Sequence, residues 1–219
     1  GMEELIEGLK KAMFEDPVED TRCVLHCEMK NEGFKTASKV QYVARVGNFI
    51  DNGADYTGAL QILKVILSYD YLWQNVRVKG GAYGCMSGFS RTGEGYFVSY
   101  RDPNLERTME VYEGIADYLR NFTVSDRDMN KYIIGTMSNI DQPMTPSTKG
   151  DRSFNLYMNK VSAETIKKER LQILEAGQED IRKLADVVEA VMKAEQVCVI
   201  GSEEKIEEAK DMFKNVTTF

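Results

Sequence analysis

The sequence predicts an α+β domain, a largely antiparallel sheet covered by helices, on three grounds. Val40, Tyr42, Ala44 and Val46 alternate with Lys39, Gln41 and Arg45, which is the period of a half-buried strand. Two β-type runs, residues 83–90 and 95–100, flank Arg91-Thr92-Gly93-Glu94 in the pattern of a hairpin. Several helical stripes then follow one another, so the order is strand, helix, hairpin, helices, strand, helix, and not the regular βαβ alternation of a parallel sheet. With 219 residues, 42% of them hydrophobic and only 4 Pro, the chain is long enough to bury one sizeable core and too apolar to stay disordered.

In chain order, Gly1 ahead of Met2 reads as a remnant of tag cleavage. Leu5, Ile6, Leu9, Ala12 and Met13 form an amphipathic entry segment stopped at Asp16-Pro17, because a proline disfavours helix at the residue before it. Residues 1–30 are therefore expected to be a linker from a preceding domain, and residues 31–219 a single domain. The strand that starts at Lys39 ends at Gly47. In residues 57–71, Leu60, Leu63, Ile66 and Leu67 share one stripe, while Ala59, Ile62 and Val65 widen it into a helix buried on two sides. After the hairpin, Asp102 can cap a helix with Pro103 in its first turn. Leu105, Met109, Tyr112, Ile115, Ala116 and Leu119 then give that helix its apolar face.

Ser125 with Asp128 three residues on starts another helix, which runs to about Ile140 and is broken by Pro143 and Pro146. Helical stretches follow at residues 149–161, 163–176 and 178–193, the last two separated by Gly177. A short strand at 196–200 precedes Gly201-Ser202 and a final helix, with Glu203 and Glu204 complementing its dipole.

Charge and cysteine content exclude several functions. The 28 Lys+Arg against 35 Asp+Glu leave a net charge of −7, and no basic stripe overrides it, so neither nucleic acid nor a membrane surface is an expected partner. Apolar runs such as 62–67 and 197–200 fall far short of the ~20 residues of a membrane span. With no cationic segment leading into an apolar one, the expected location is a bacterial cytoplasm or an organelle matrix, not the outside. Cys23, Cys27, Cys85 and Cys198 are read as reduced structural cysteines. The alternative, a zinc site on Cys23 and Cys27 with His26 between them, would need two more ligands, from Cys85 and Cys198, each of which sits in an apolar strand-like run.

The glycine tract Gly80-Gly81-Ala82-Tyr83-Gly84 is no phosphate loop. No G-K-[ST] follows it, and it leads into a hairpin and not a helix. Glycines there can instead let another backbone approach closely, such as a strand or an extended peptide. A nucleophile-base pair would have to run on His26, the single histidine, and no G-x-S-x-G elbow exists. What remains is Arg77 followed by Gly80, Gly81 and Tyr83. A guanidinium fork, a Gly-rich approach and a neutral phenolic donor suit the grip of a peptide carbonyl and its developing oxyanion. On residue chemistry alone the competing reading stays open, with Arg77 in a surface ion pair and Tyr83 packed at a sheet edge.

The run Tyr71-Leu72-Trp73-Gln74-Asn75-Val76-Arg77-Val78-Lys79-Gly80-Gly81-Ala82-Tyr83-Gly84, continued by Ser99-Tyr100-Arg101-Asp102-Pro103-Asn104-Leu105, resembles the last domain of the presequence-protease branch of the pitrilysin/insulinase zinc metallopeptidases. Asn31-Glu32-Gly33, Ile133-Ile134-Gly135-Thr136 and Val199-Ile200-Gly201-Ser202 resemble it too, and the match spans about residues 30 to 213. The resemblance implies a pitrilysin- and processing-peptidase-like α+β domain, the fourth of four that pair into two halves closing on an unstructured peptide. It further implies a zinc held in the first domain by an inverted H-x-x-E-H motif plus a distal Glu, with the motif's Glu as general base.

A chain with one histidine cannot contain that motif, so this segment is expected to bind no metal or cofactor itself. The zinc is expected in the N-terminal catalytic half, which would be its partner. Carried over by resemblance, Arg77 would hold a substrate backbone carbonyl and Tyr83 would stabilise the scissile carbonyl in the transition state, with Gly80 and Gly81 lining the substrate. The segment alone would be inactive. The alternative is a free-standing non-catalytic member of the same fold that binds peptides or serves as a scaffold.

Overall fold

The computed structural model describes residues 1–12 and 31–219. Its strands are β1 (Glu32–Thr36), β2 (Gln41–Asn48), β3 (Gly84–Phe89), β4 (Glu94–Asp102), β5 (Gln196–Ser202) and β6 (Asn215–Thr218), in the sheet order β3-β4-β2-β5-β1-β6. The ladders β3/β4, β4/β2 and β2/β5 are antiparallel, whereas β1 pairs in parallel with both β5 and β6. The helices are α1 (Met2–Ala12), α2 (Ala59–Ile66), α3 (Glu106–Glu113), α4 (Ile115–Arg120), α5 (Asp126–Ile140), α6 (Pro146–Met158), α7 (Ala163–Leu174), α8 (Gln178–Lys193) and α9 (Glu203–Glu208). The α+β class and the largely antiparallel sheet are as expected. None of these helices is long and apolar enough to cross a membrane.

The core lies between one sheet face and the helices α2 and α8. Leu60, Ile62, Leu63 and Ile66 of α2 and Ile181, Val188 and Val191 of α8 are buried with Val43, Phe97 and Val199 of the sheet. Each such side chain contributes about 1.5–3 kcal/mol on leaving water, and together they set the sheet against the helices. Gly58 opens α2 with no side-chain cap. Its N–H donates to Gln172 Oε1 at 2.8 Å, and an added Cβ would stand 2.2 Å from the Glu169 carbonyl, so α2 starts in direct backbone contact with α7.

Apolar-in packing of β2 would cover Tyr42, Ala44 and Val46. The structure does the reverse, burying Gln41 at 0% and Arg45 at 8% exposure while Tyr42 is 48% exposed. The cause is the end of α8. Arg45 Nη2 donates to the Met192 carbonyl at 2.7 Å, in the last turn of that helix, where a cation meets unpaired carbonyls and the negative end of the dipole. Gly47 leaves the gap for the approach, since a Cβ there would lie 2.2 Å from the Val191 carbonyl.

Other differences also have local causes. The single helix expected over 105–119 is two, split at Gly114, where the Tyr71 hydroxyl would lie 2.7 Å from an added Cβ and donates to the Val111 carbonyl at 2.9 Å. α5 ends at Ile140, ahead of Pro143 and Pro146 as expected, but the next helix begins at Pro146 and not near 149, with Thr145 as N-cap accepting from the Thr148 N–H. Ser125 caps α5 as expected, accepting from the Asp128 N–H at 3.2 Å. The entry segment is helical over Met2–Ala12 and buries none of its residues. Its expected stop at Asp16-Pro17 lies outside the described residues, as do Met13, Cys23, His26 and Cys27.

Candidate functional site

The helix expected over 57–71 does not stop there. It runs on from α2 through two π-helical turns, Leu67–Tyr71 and Trp73–Val78, and so carries Arg77 at its end. Such wide turns are uncommon and concentrate at functional sites. Both are anchored. Leu72 and Val76 are fully buried, Asp70 accepts from the Tyr132 hydroxyl of α5, and Asn75 Nδ2 donates to the Tyr71 carbonyl at 2.9 Å.

Arg77 is half-buried, and its guanidinium carbon lies 4.0 Å from the centre of the Trp73 ring, four residues back on the same rod. Among the described residues no carboxylate lies within ion-pair distance of Arg77. A ring orients a guanidinium without neutralising it, so among the described residues its charge is left for a ligand.

Gly80 and Gly81 terminate the rod. The Gly81 N–H donates to the Arg77 carbonyl at 2.8 Å with φ +82°, in the left-handed region that glycine favours. The close approach at Gly80 is that of the rod's own Val76 carbonyl, 2.3 Å from where a Cβ would stand, while the space beside Gly81 is bounded only by Pro103 Cγ at 3.5 Å. Asn104 Nδ2 donates to the Gly80 carbonyl at 2.5 Å, the Asn104 N–H donates to Asp102 Oδ1 at 2.9 Å, and Thr108 Oγ1 donates to Asp102 Oδ2 at 2.7 Å. Asp102 is fully buried. Expected as a helix cap, it instead ties the end of β4 to the glycine turn; α3 starts from Leu105 without a side-chain cap.

Tyr83 follows directly and is 61% exposed, just ahead of the edge strand β3. Its N–H donates to the Arg101 carbonyl at 3.3 Å, its ring centre lies 5.6 Å from that of Tyr100, and the Arg101 guanidinium stands 5.4 Å over its face. Arg101 has φ +48° at the bulge where the β2/β4 register shifts. The structure thus brings Arg77, Gly80, Gly81 and Tyr83 into one exposed turn at the sheet's edge. Trp73, Arg101, Asp102 and Asn104 complete it, and sequence reasoning assigns none of them to the site. The Arg77 spacing from Trp73 and the Asp-Pro-Asn turn were the available signals.

This site can donate hydrogen bonds and offer positive charge, but it has no evident nucleophile. Cys85, nearby, is pushed up to about 11, chiefly by burial; Arg77 acts to lower it and Asp102 to raise it, so the thiol stays protonated at neutral pH. Burial likewise raises the Tyr112 phenol beneath the sheet. Among the described residues no cluster of three His, Cys, Asp or Glu side chains could hold a metal. Cys85 pairs with Ser99 on the helix-covered face and Cys198 with Ala44 on the other, so alternation points them to opposite sides and they cannot share an ion. The family zinc therefore does not fit the described residues of this segment.

Residues 31–204 match the family model described as the PreP C-terminal domain. The chain is 48% identical over 187 residues to Protein HypA of Clostridium perfringens, a match covering 85% of this chain and 19% of that protein. It is 32% identical over 188 residues to Presequence protease 1, chloroplastic/mitochondrial, of Arabidopsis thaliana, covering 85% and 17%. The chain thus spans less than a fifth of the length of these relatives. Among solved structures, a peptidase M16 inactive domain from Pseudomonas fluorescens superposes with a TM-score of 0.60 at 16% identity, covering 91% of this chain and 49% of that one. Pitrilysin superposes with a TM-score of 0.57 at 14% identity, covering 87% and 22%. At such identities these two likenesses speak to fold alone.

Proposed function

The chain belongs to the PreP C-terminal domain family, and on that premise we propose that it is the substrate-gripping, non-zinc-binding C-terminal domain of a metalloendopeptidase that degrades unstructured peptides. The observation that carries this reading is an Arg77 guanidinium paired with no described carboxylate and an exposed Tyr83 phenol, at the two ends of a glycine turn clamped by Asn104 and Asp102. Its partner is the N-terminal half of the same parent chain, which supplies the zinc; as part of such an enzyme it works in a bacterial cytoplasm or an organelle matrix.

In this chamber Arg77 holds a backbone carbonyl of the peptide, and Tyr83 donates to the oxygen of the scissile carbonyl. As that carbon becomes tetrahedral its oxygen gains negative charge, and the phenol's hydrogen bond strengthens. A typical donor of this kind lowers the barrier by about 2.7–4 kcal/mol. Because the gain comes only in the transition state, it appears in kcat. A base, a nucleophile and a metal must come from elsewhere, so the isolated chain is inert.

In the parent enzyme, Tyr83→Phe lowers kcat at least tenfold with zinc content unchanged, and an unchanged kcat would overturn the oxyanion role. Loaded with zinc and given an unfolded peptide, the 219-residue chain shows no cleavage; metal-dependent turnover would sink the proposal of a domain that relies on another half.

A further inference from the structure

Away from the glycine turn, a cavity of about 290 Å³ lies between α6, α7 and the β3–β4 turn. Tyr56, Ile140, Leu156, Ile166 and Ile173 give it apolar walls. Three arginines border it. Arg91 is paired with both oxygens of Glu169, and Arg170 with both oxygens of Asp141. Arg152 has no carboxylate within ion-pair distance among the described residues; the one polar contact of its guanidinium there is a long one, Nη1 to Met144 Sδ at 3.9 Å. It is half-buried, and with Arg91 and Leu156 it also lines an adjoining cavity of about 460 Å³, so it stands where the two meet.

Ser90, Thr92, Asn155 and Asn159 line the second cavity beside Leu156 and Val161. Asn155 Nδ2 donates to the Asp151 carbonyl at 2.9 Å, and Asn159 Nδ2 to the Asn155 carbonyl at 2.8 Å, which leaves each side-chain oxygen as a spare acceptor. In a chain of net charge −7, the three lining arginines against the lining Glu169 and the Asp141 bonded to Arg170 leave a local excess of one positive charge.

We infer that this paired cavity binds the carboxyl-terminal residue of a peptide with an apolar side chain. The side chain enters the apolar cavity, the terminal carboxylate meets Arg152 where the two cavities join, and the preceding backbone N–H groups meet the Asn155 and Asn159 oxygens. Charge selects a carboxylate, since no described carboxylate lies within ion-pair distance of Arg152 and the nearby Asp141 is already bonded to Arg170. The walls select an apolar body, and the row of acceptors selects a peptide over a lone acid. Nothing in this depends on Arg77 or Tyr83, so the site stands or falls apart from the proposed peptidase role.

The test is a calorimetric titration of the full chain with N-acetyl-Gly-Gly-Leu as the free acid and as the carboxamide, with N-acetylleucine and sodium acetate as further ligands. The free acid binds at least tenfold more tightly than the amide, and Arg152→Gln brings the two level with the Tm of the chain unchanged. Equal binding of acid and amide to the unsubstituted chain overturns the inference without any variant. So does acetate binding as tightly as the tripeptide acid, which would leave charge alone. N-acetylleucine binding as tightly as the tripeptide acid would overturn the role of the second cavity.

Discussion

The two faces of the sheet reverse the usual assignment of polar and apolar residues. The helix-covered face holds Gln41, Arg45, Ser87, Ser99 and Asp102, all buried, around the apolar centre of Val43, Phe97 and Val199. On the other face Tyr42, Met86, Tyr96 and Ile200 are exposed, and the register sets Met86 beside Val98, Val98 beside Ala44, Ala44 beside Cys198, and Tyr42 beside Ile200. Two of these polar groups, Arg45 and Asp102, enter the core where a helix end and a turn need a donor and an acceptor. The open face is thus apolar from β3 across to β5. Tyr83 stands on the rim of this open face, beside Tyr100.

The sharpest contrast between the faces is energetic. Phe97 is fully buried and packs against Phe89 and Tyr112, so Phe97→Ala should cost about 3–5 kcal/mol in urea unfolding. Ile200→Ala, on the open face, should cost less than about 1 kcal/mol in the isolated chain. Equal costs would mean that the open face is packed after all, and the contrast between the faces would collapse.

Next in size is the buried polar group beneath the glycine turn. Asp102→Ala strands the Thr108 hydroxyl and the Asn104 N–H, a loss of about 1–3 kcal/mol, and frees Asn104 from the Gly80 carbonyl. The substitution is therefore expected to speed amide exchange at Gly81 and Tyr83 more than at β2. Uniform acceleration would show that Asp102 serves the core and not the turn.

What was legible in the sequence was local. The β3–β4 hairpin, the Ser125 cap and the stripes of α2 and α8 follow from spacing within one segment, and each stands near its expected place. β1 and β6 were missed because their register comes from a parallel partner far along the chain, and neither alternates strongly. The inversion of β2 was hidden for the same reason, since Arg45 is explained only by Met192. Arg77 and Tyr83 were found by residue type and resemblance. Their supports were not, because an Asp before a Pro signals a helix cap from sequence, and its partners Asn104 and Thr108 become evident only once β4 ends there.

Trp73 makes the site's arrangement measurable, since it is the single tryptophan and its ring carries Arg77. Arg77→Met should alter Trp73 emission, and in the parent enzyme Trp73→Leu should raise KM several-fold while Trp73→Phe restores it. A cation-π contact at such a site contributes about 0.5–1 kcal/mol. Equal behaviour of the Leu and Phe variants would mean that bulk, and not the ring's charge distribution, holds Arg77.

The smallest effect belongs to the exposed ion pairs, and pH separates them from the buried polar groups. Lys35, at the end of β1, pairs with Glu207 of α9. The hydrogen bond with Glu207 holds the Lys35 ammonium above its ordinary value, and the same bond holds the Glu207 carboxyl below its own. A raised lysine gives stability that is fully present below the unfolded value near 10.5 and is lost as pH climbs through the folded one. A lowered glutamate gives stability that is present above the unfolded value near 4.5 and is lost as pH falls through the folded one. The Tm difference between the chain and its Lys35→Met variant should therefore be greatest on a plateau between these limits, shrink on both sides, and weaken in 0.5 M salt, about a 4 Å screening length. Asp102→Ala, acting through buried hydrogen bonds, should show no such salt dependence. A Lys35→Met difference that is flat from pH 3 to 11 would mean that the pair contributes by packing and not by charge.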